Sequence, residues 1–147
     1  MDSALTPKDV VIRFLELMGT GQWDDMEKAG ALLADDVDFW IAGNTAISGT
    51  VVGREAAMER RFRPARKRTM PGTLTLRIGK VIPEGDYVAA EWTSRRKVFS
   101  SADYENFLFG LFHIRNGKIS SLREYLDTQA VVQSSWRHID KPAEVPK

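Results

Sequence analysis

The sequence predicts an α+β fold, with helices first and an antiparallel β-meander after them. Three observations carry the prediction. Apolar residues near the N-terminus recur at helical spacing; from Thr73 onward the period falls to two; and Pro83-Glu84-Gly85-Asp86 and Asn116-Gly117 are turn signals that divide the second part into hairpins. A chain of 147 residues suits one domain with a real core, and 43% hydrophobic content supports folding. A curved sheet wrapped by three helices would enclose a cavity.

The elements follow in order. Thr6 is a helix cap, Pro7 suits the first helical position, and Asp9 favours the positive helix end. Val10, Val11, Phe14, Leu15 and Met18 then share one face, and Gly19 and Gly21 end the helix. A second amphipathic stretch uses Met26, Ala29, Leu32 and Leu33 and stops near Asp35-Asp36. Val37 to Ile41 reads as a strand and Ala42 to Val52 as a loop. A third helix is expected from Gly53 to about Phe62, with Pro64 as its breaker.

In the second part Leu74, Leu76 and Ile78 alternate with polar neighbours. Tyr87 to about Phe99 forms the next strand, Ser100 to Asp103 a turn, Tyr104 to Arg115 a long strand, and Lys118 to Leu126 the last. The long strand puts Tyr104, Asn106, Leu108, Gly110, Phe112 and Ile114 on one face. Glu105, Phe107, Phe109, Leu111 and His113 fall on the other. Both faces are substantially apolar, so both should be covered, one by the helices and one by a second subunit.

Composition narrows the chemistry. The chain has no cysteine, which excludes disulfides, thiolate metal sites and a cysteine nucleophile. Two histidines, His113 and His138, lack ligand-spaced partners, so no metal is expected. Twenty-one basic residues against twenty acidic ones leave a net charge of +1 and no reason to expect nucleic-acid binding. No basic-then-apolar leader opens the chain, and no apolar run approaches the roughly 20 residues that cross a bilayer. The expected location is cytoplasmic, without membrane association.

Four segments carry a family resemblance: ADDV at 34–37, VVGREA at 51–56, EGDYVAAEW at 84–92 and YENFLFGLFHIRNGKISSLREYLDT at 104–128. They resemble the SnoaL-like branch of the nuclear transport factor 2-like superfamily, which includes ketosteroid isomerases, polyketide cyclases and limonene epoxide hydrolase. The last segment is the most specific, joining a Y-x-N strand, an N-G-K-I hairpin and an R-E-Y-x-D-T ending. The resemblance implies a cone-shaped, curved antiparallel (mixed) sheet wrapped by three N-terminal helices around a deep apolar pocket. It also implies a homodimer through the outer sheet face. The expected domain is residues 1–135, with 136–147 an irregular tail.

Set against limonene epoxide hydrolase, the resemblance puts the strand Arg and Asp positions at Trp92 and Ser94, and the first-strand Tyr and Asn positions at Phe39 and Ile41. The final-strand Asp falls at Glu124. Only the carboxylate is kept. A nucleophilic water needs several polar partners, which argues against hydrolysis by that arrangement.

The expected catalytic group is therefore Glu124, supported by Tyr104 and Asn106. A carboxylate in an apolar pocket is a general acid or base near neutrality; Tyr can donate to an oxyanion, and Asn can orient a carbonyl or hydroxyl. The opposing reading for Glu124 is a structural ion pair with an inward Arg such as Arg96. Phe39, Ile41, Trp40, Trp92, Ser94, Leu108, Phe112 and Trp136 are expected to bind the substrate, although alternation puts Trp40 opposite Phe39 and Ile41. Asp127 is expected to tie down backbone. The basic runs at 60–68 and 95–97 are either solvated surface or the source of one or two guanidinium groups at the pocket rim. These residues point to a cofactor-independent acid/base enzyme for a small hydrophobic molecule, aromatic ones included, performing an isomerase or lyase/aldol-type step. The alternatives are a non-catalytic binding or dimerisation module and an epoxide hydrolase with altered water ligands.

Overall fold

The computed structural model describes residues 4–99 and 101–134. The expected tail, with Trp136 and His138, lies outside the described residues. A six-stranded mixed sheet in the order β2-β1-β6-β5-β4-β3 forms the frame. Its strands are β1 (Leu33–Ile41), β2 (Gly49–Val52), β3 (Thr75–Glu84), β4 (Tyr87–Val98), β5 (Ser101–Arg115) and β6 (Lys118–Leu126). Every pair is antiparallel except β1 with β6. The β5–β6 turn places Asn116 and Gly117 at φ 51° and 72°, the left-handed geometry of a two-residue hairpin.

Helices pack on the inner face. Helix α1 (Pro7–Gly19) opens with a capping box in which the Thr6 hydroxyl accepts from the Asp9 amide at 3.2 Å. Its buried stripe, Val10, Val11, Phe14 and Leu15, is the face read from the sequence. Helix α2 (Trp23–Gly30) is shorter than expected. Leu33 opens β1 instead, because its backbone pairs with Ile119 in β6. The expected loop at 42–52 also contains a strand: Thr50, Val51 and Val52 are β-formers, and β2 pairs with Asp38 to Ile41.

The third helix does not end at Phe62. It runs as α3 (Arg54–Ala57), a π-helical turn (Met58–Phe62) and α4 (Arg63–Arg68). The π turn explains how Pro64 is accommodated. The Arg63 amide bonds back to the Met58 carbonyl, five residues away, which widens the helix just before the proline. Pro64 then occupies the first turn of α4, where a missing N–H costs little. A last helix, α5 (Thr128–Gln133), was not read from the sequence; the Asp127 carboxylate caps it through the amides of Gln129 and Ala130.

The core lies between α1, the third helix and the inner sheet face. The Phe62 ring stacks on Phe39 at 5.6 Å and meets Phe14 edge-on at 6.0 Å. Gly110 is required by close approach: a Cβ there would sit 2.8 Å from the Phe112 ring and 2.9 Å from Trp92. Gly110→Val is expected to destabilise by about 1–3 kcal/mol through overpacking. Denaturant unfolding measures the loss, and tryptophan emission reports the displaced Trp92; an unchanged midpoint would refute the packing account. Among the described residues, no helix is long and apolar enough to cross a membrane.

Candidate functional site

The inner sheet face is built row by row. Glu124 on β6 stands beside Gly110 on β5 and Ile41 on β1, and Gly110 pairs in turn with Ala90 on β4. Small side chains at Gly110 and Ala90 leave a hollow in which the larger inward residues meet. The next row pairs Leu108 with Trp92 and Leu126. Further along, Ser94 pairs with Asn106 and Arg96 with Tyr104. The third helix closes over these rows with Arg61, Phe62 and Ala65. The half-open cavity they line is about 150 Å³. A dry cavity of about that size holds one benzene ring.

Alternation along β4, β5 and β6 delivers the polar lining. Ser94 and Arg96 follow Trp92 on one strand, Tyr104 shares a face with Leu108 on the next, and Glu124 lies between Leu122 and Leu126 on the last. Arg61 arrives by another route. It sits in the π turn, where one extra residue per turn shifts the helical phase; its guanidinium carbon lies 6.0 Å from the Phe39 ring centroid.

Electrostatics single out Glu124. Burial lifts its carboxyl to a pKa of about 7, against the opposing pull of Arg61 and Arg96. It remains reachable from the cavity, which it lines. Among the described residues it closes no salt bridge with either arginine, and its carboxylate has no hydrogen-bond partner. Desolvation outweighs attraction because neither cation is close enough to satisfy it. Burial also lowers the Arg96 and Arg61 pKa values and raises that of the Tyr104 phenol, which keeps the phenol protonated.

Tyr104 is held by two contacts. Arg96 lies over its ring at 4.3 Å, and the Asn106 amide donates to its hydroxyl at 2.8 Å. The amide orientation follows from the backbone of Asp127. That residue's N–H donates to Asn106 Oδ1 at 2.9 Å, and its carbonyl accepts from Nδ2 at 3.0 Å. Nδ2 is therefore the atom that meets Tyr104. With its oxygen accepting, the phenol has its own proton available for another acceptor.

The structure brings Glu124, Tyr104, Phe39, Ile41, Trp92, Ser94 and Leu108 together around one cavity. Three expected residues stand elsewhere. Asn106 is fully buried and does not line the cavity; its amide is taken by Tyr104 and Asp127, so it reaches the site only through Tyr104. Phe112 is fully buried behind the lining, against Phe14 and Trp92, because its row lies deeper in the core. Trp40 faces outward, where Arg123 lies over its ring at 4.1 Å and Tyr125 packs at 5.3 Å.

The basic runs divide between both readings. Arg63 pairs with Glu27 and Glu55, and Arg95 pairs with Glu105. Arg61 and Arg96 enter the cavity instead. Strand alternation is a signal for Arg96, which shares a face with Trp92 and Ser94. No comparable signal exists for Arg61, because the π turn breaks the helical phase. His113 bonds Ser120 at 2.6 Å away from the cavity. Among the described residues, no group of ligating side chains is arranged to hold a metal ion.

Comparisons with known proteins agree with this architecture. Among curated proteins no match is found. Solved structures with the same fold are numerous. An NTF2-like protein from Burkholderia thailandensis superposes with a TM-score of 0.73 at 17% identity, covering 88% of this chain and 96% of its own. A protein with a ketosteroid isomerase-like fold from Catenulispora acidiphila, solved with trimethylamine, gives 0.68 at 20% identity, covering 86% and 92%. A candidate isomerase from Bacillus subtilis gives 0.74 at 17% identity, covering 88% and 94%. At these identities the likeness is one of fold. The family model of the SnoaL-like domain matches residues 11–122, most of the described chain. The curled mixed sheet, the helices laid across its inner face and that match together establish that this chain belongs to the SnoaL-like family, within the NTF2-like superfamily.

Proposed function

We propose that the protein is a cofactor-independent acid/base enzyme for a small, largely apolar molecule of about one ring, catalysing an isomerase or lyase/aldol-type step. The observation that carries the reading is the Glu124 carboxyl, lifted to a pKa of about 7 in a cavity it shares with a protonated phenol. Such a group is about half ionised at neutral pH and is both a competent base and a competent acid. Glu124 takes a proton from a carbon beside a carbonyl; the C–H electron pair moves into the carbonyl and leaves negative charge on its oxygen. Tyr104 donates its hydroxyl hydrogen to that oxygen, and Asn106 holds the phenol in place. Protonated Glu124 then returns the proton at a second position; in the lyase variant the enolate pair re-forms the carbonyl and a carbon–carbon double bond, expelling the β-substituent, which takes the proton from Glu124 as it leaves. Hydrolysis by the epoxide hydrolase arrangement fits poorly, since Phe39, Ile41 and Trp92 stand at three of its water-positioning places. The likeness to a candidate isomerase is consistent with this class of chemistry but rests on fold.

The test needs no known substrate. A panel of one-ring ketones is incubated with the protein in deuterium oxide, and α-deuteration is followed by NMR. Exchange above the buffer rate, increasing as pH rises through about 7, is expected. Binding of panel members without any exchange would refute catalysis and leave the binding module.

We also infer that the chain is a homodimer through the outer sheet face. Phe107, Phe109 and Tyr125 are exposed there by 64%, 45% and 43%, an aromatic patch that a lone soluble domain rarely presents. Sedimentation should show a dimer, and Phe107→Glu should shift it to monomer; a monomeric parent overturns the inference.

A further inference from the structure

Two arginines face the cavity, and among the described residues neither closes a salt bridge there. Burial desolvates Arg96 strongly and Arg61 in part, and the Nε atoms of both are buried without a hydrogen-bond partner among the described residues. An arginine does not escape such a position by losing its proton. Elsewhere the chain supplies carboxylates freely: Arg54 meets Asp35 at 2.8 Å, Arg115 meets Asp36 at 2.6 Å, and Arg63 meets both Glu27 and Glu55. Among the described residues the single carboxylate at the cavity is Glu124, which is half neutral near pH 7 and closes no salt bridge with either cation. The lining therefore carries an excess of positive charge in an apolar enclosure.

The mounting of these cations matters as much as their charge. The Arg96 guanidinium carbon lies over the Tyr104 ring at 4.3 Å, and that of Arg61 lies over the Phe39 ring at 6.0 Å. An aromatic ring under a guanidinium holds the cation in place while leaving N–H donors for a carboxylate, which can accept two of them at once. The two groups come from different walls, the π turn and β4. Arg96 also borders an annex of about 50 Å³ that reaches Arg66, whose Nε is likewise buried and unpartnered.

We infer that the ligand of this cavity is a carboxylic acid with a body of about one ring, its carboxylate held by Arg61 and Arg96. The inference rests on the acid/base reading only for the role of Glu124; anion preference is carried by the arginines and is measured by binding alone. It narrows the substrate class from small apolar molecules to small apolar acids.

Calorimetric titration of the full chain with benzoate, cyclohexanecarboxylate and phenyl phosphate, each beside its neutral amide or alcohol analogue, tests it. Benzoate is expected to bind at least about tenfold more tightly than benzamide, the difference that one charge-assisted contact supplies. Arg61→Gln and Arg96→Gln should each remove most of that preference, costing benzoate far more affinity than benzamide. Glu124→Gln should keep or strengthen benzoate binding, because it removes the competing negative charge. Should Arg96→Gln fail to fold, Arg61→Gln and the charge-retaining Arg96→Lys carry the test, the latter with a partial loss. Benzamide binding as tightly as benzoate, benzoate affinity unchanged in both arginine variants, or no carboxylate binding at all would overturn the inference. Stronger binding of phenyl phosphate than of benzoate would overturn it in favour of a phosphate ester. Loss of catalysis on Glu124→Gln with no anion preference would leave the acid/base reading standing, and anion preference without catalysis would do the reverse.

Discussion

Glu124→Gln is expected to lower turnover by about 10²- to 10⁴-fold, the range that a positioned acid/base group contributes. The amide matches the carboxylate in size, so packing beside Gly110 and Ile41 is preserved while the proton-accepting oxygen is lost. For the parent, kcat/KM should rise with pH and level off, with an apparent pKa of about 7 set by the burial of Glu124. The apparent value belongs to the group of charges facing the carboxyl, because Arg61 and Arg96 both act on it. In the variant that inflection should vanish with the rate. Full turnover in Glu124→Gln would remove Glu124 from the mechanism.

The second large effect is on stability. The Glu124 carboxyl has a pKa of about 7 in the folded chain against 4.5 ordinarily, so the folded state holds its proton more tightly than the unfolded state. Its stabilising contribution is fully present below pH 4.5, falls as pH rises from there to about 7, and is constant above. The gap between the two values corresponds to about 3 kcal/mol. Urea unfolding from pH 5 to 8 should therefore show the parent losing stability with rising pH and Glu124→Gln losing none by this route. The variant should be the more stable protein at pH 8. Glu27 and Asp36 act in the opposite sense, since Arg63 and Arg115 hold their pKa values low. Their contributions are lost only on acidification, below the chosen window, and cancel in the comparison. A parent whose stability is flat or rising across the window would refute the raised pKa.

Much of the inner face was legible. Period-two alternation places Trp92, Ser94 and Arg96 together on β4, Tyr104 and Leu108 on β5, and Glu124 and Leu126 on β6. The same rule sets Trp40 opposite Phe39 and Ile41, and it does face outward. Alternation reports only which side of the sheet a residue takes. It does not report depth, so Phe112 shares a face with Tyr104 and yet lies in the sealed core. Nor does it report hydrogen-bond partners. Asn106 reads as a substrate contact until the backbone of Asp127, twenty-one residues later, is found to occupy its amide.

Local signals were misread where long-range pairing overrode them. Leu33 fits the helical stripe of α2, but its backbone pairs with Ile119 and opens a strand. Pro64 reads as a helix breaker, yet a π turn absorbs it and carries Arg61 into the cavity.

By itself, then, the sequence determined the class of fold, the sheet face that turns inward, and the absence of any thiol from the chain. Those features follow from spacing and composition, which are properties of neighbours along the chain. The tertiary structure alone decided that Glu124 has no salt-bridge partner among the described residues, that Tyr104 is oriented from behind by Asn106, and that two arginines out of a strongly basic set face inward. Each of these depends on distance and desolvation between segments far apart in sequence, and those exist only once the sheet has curled and the third helix has closed over it.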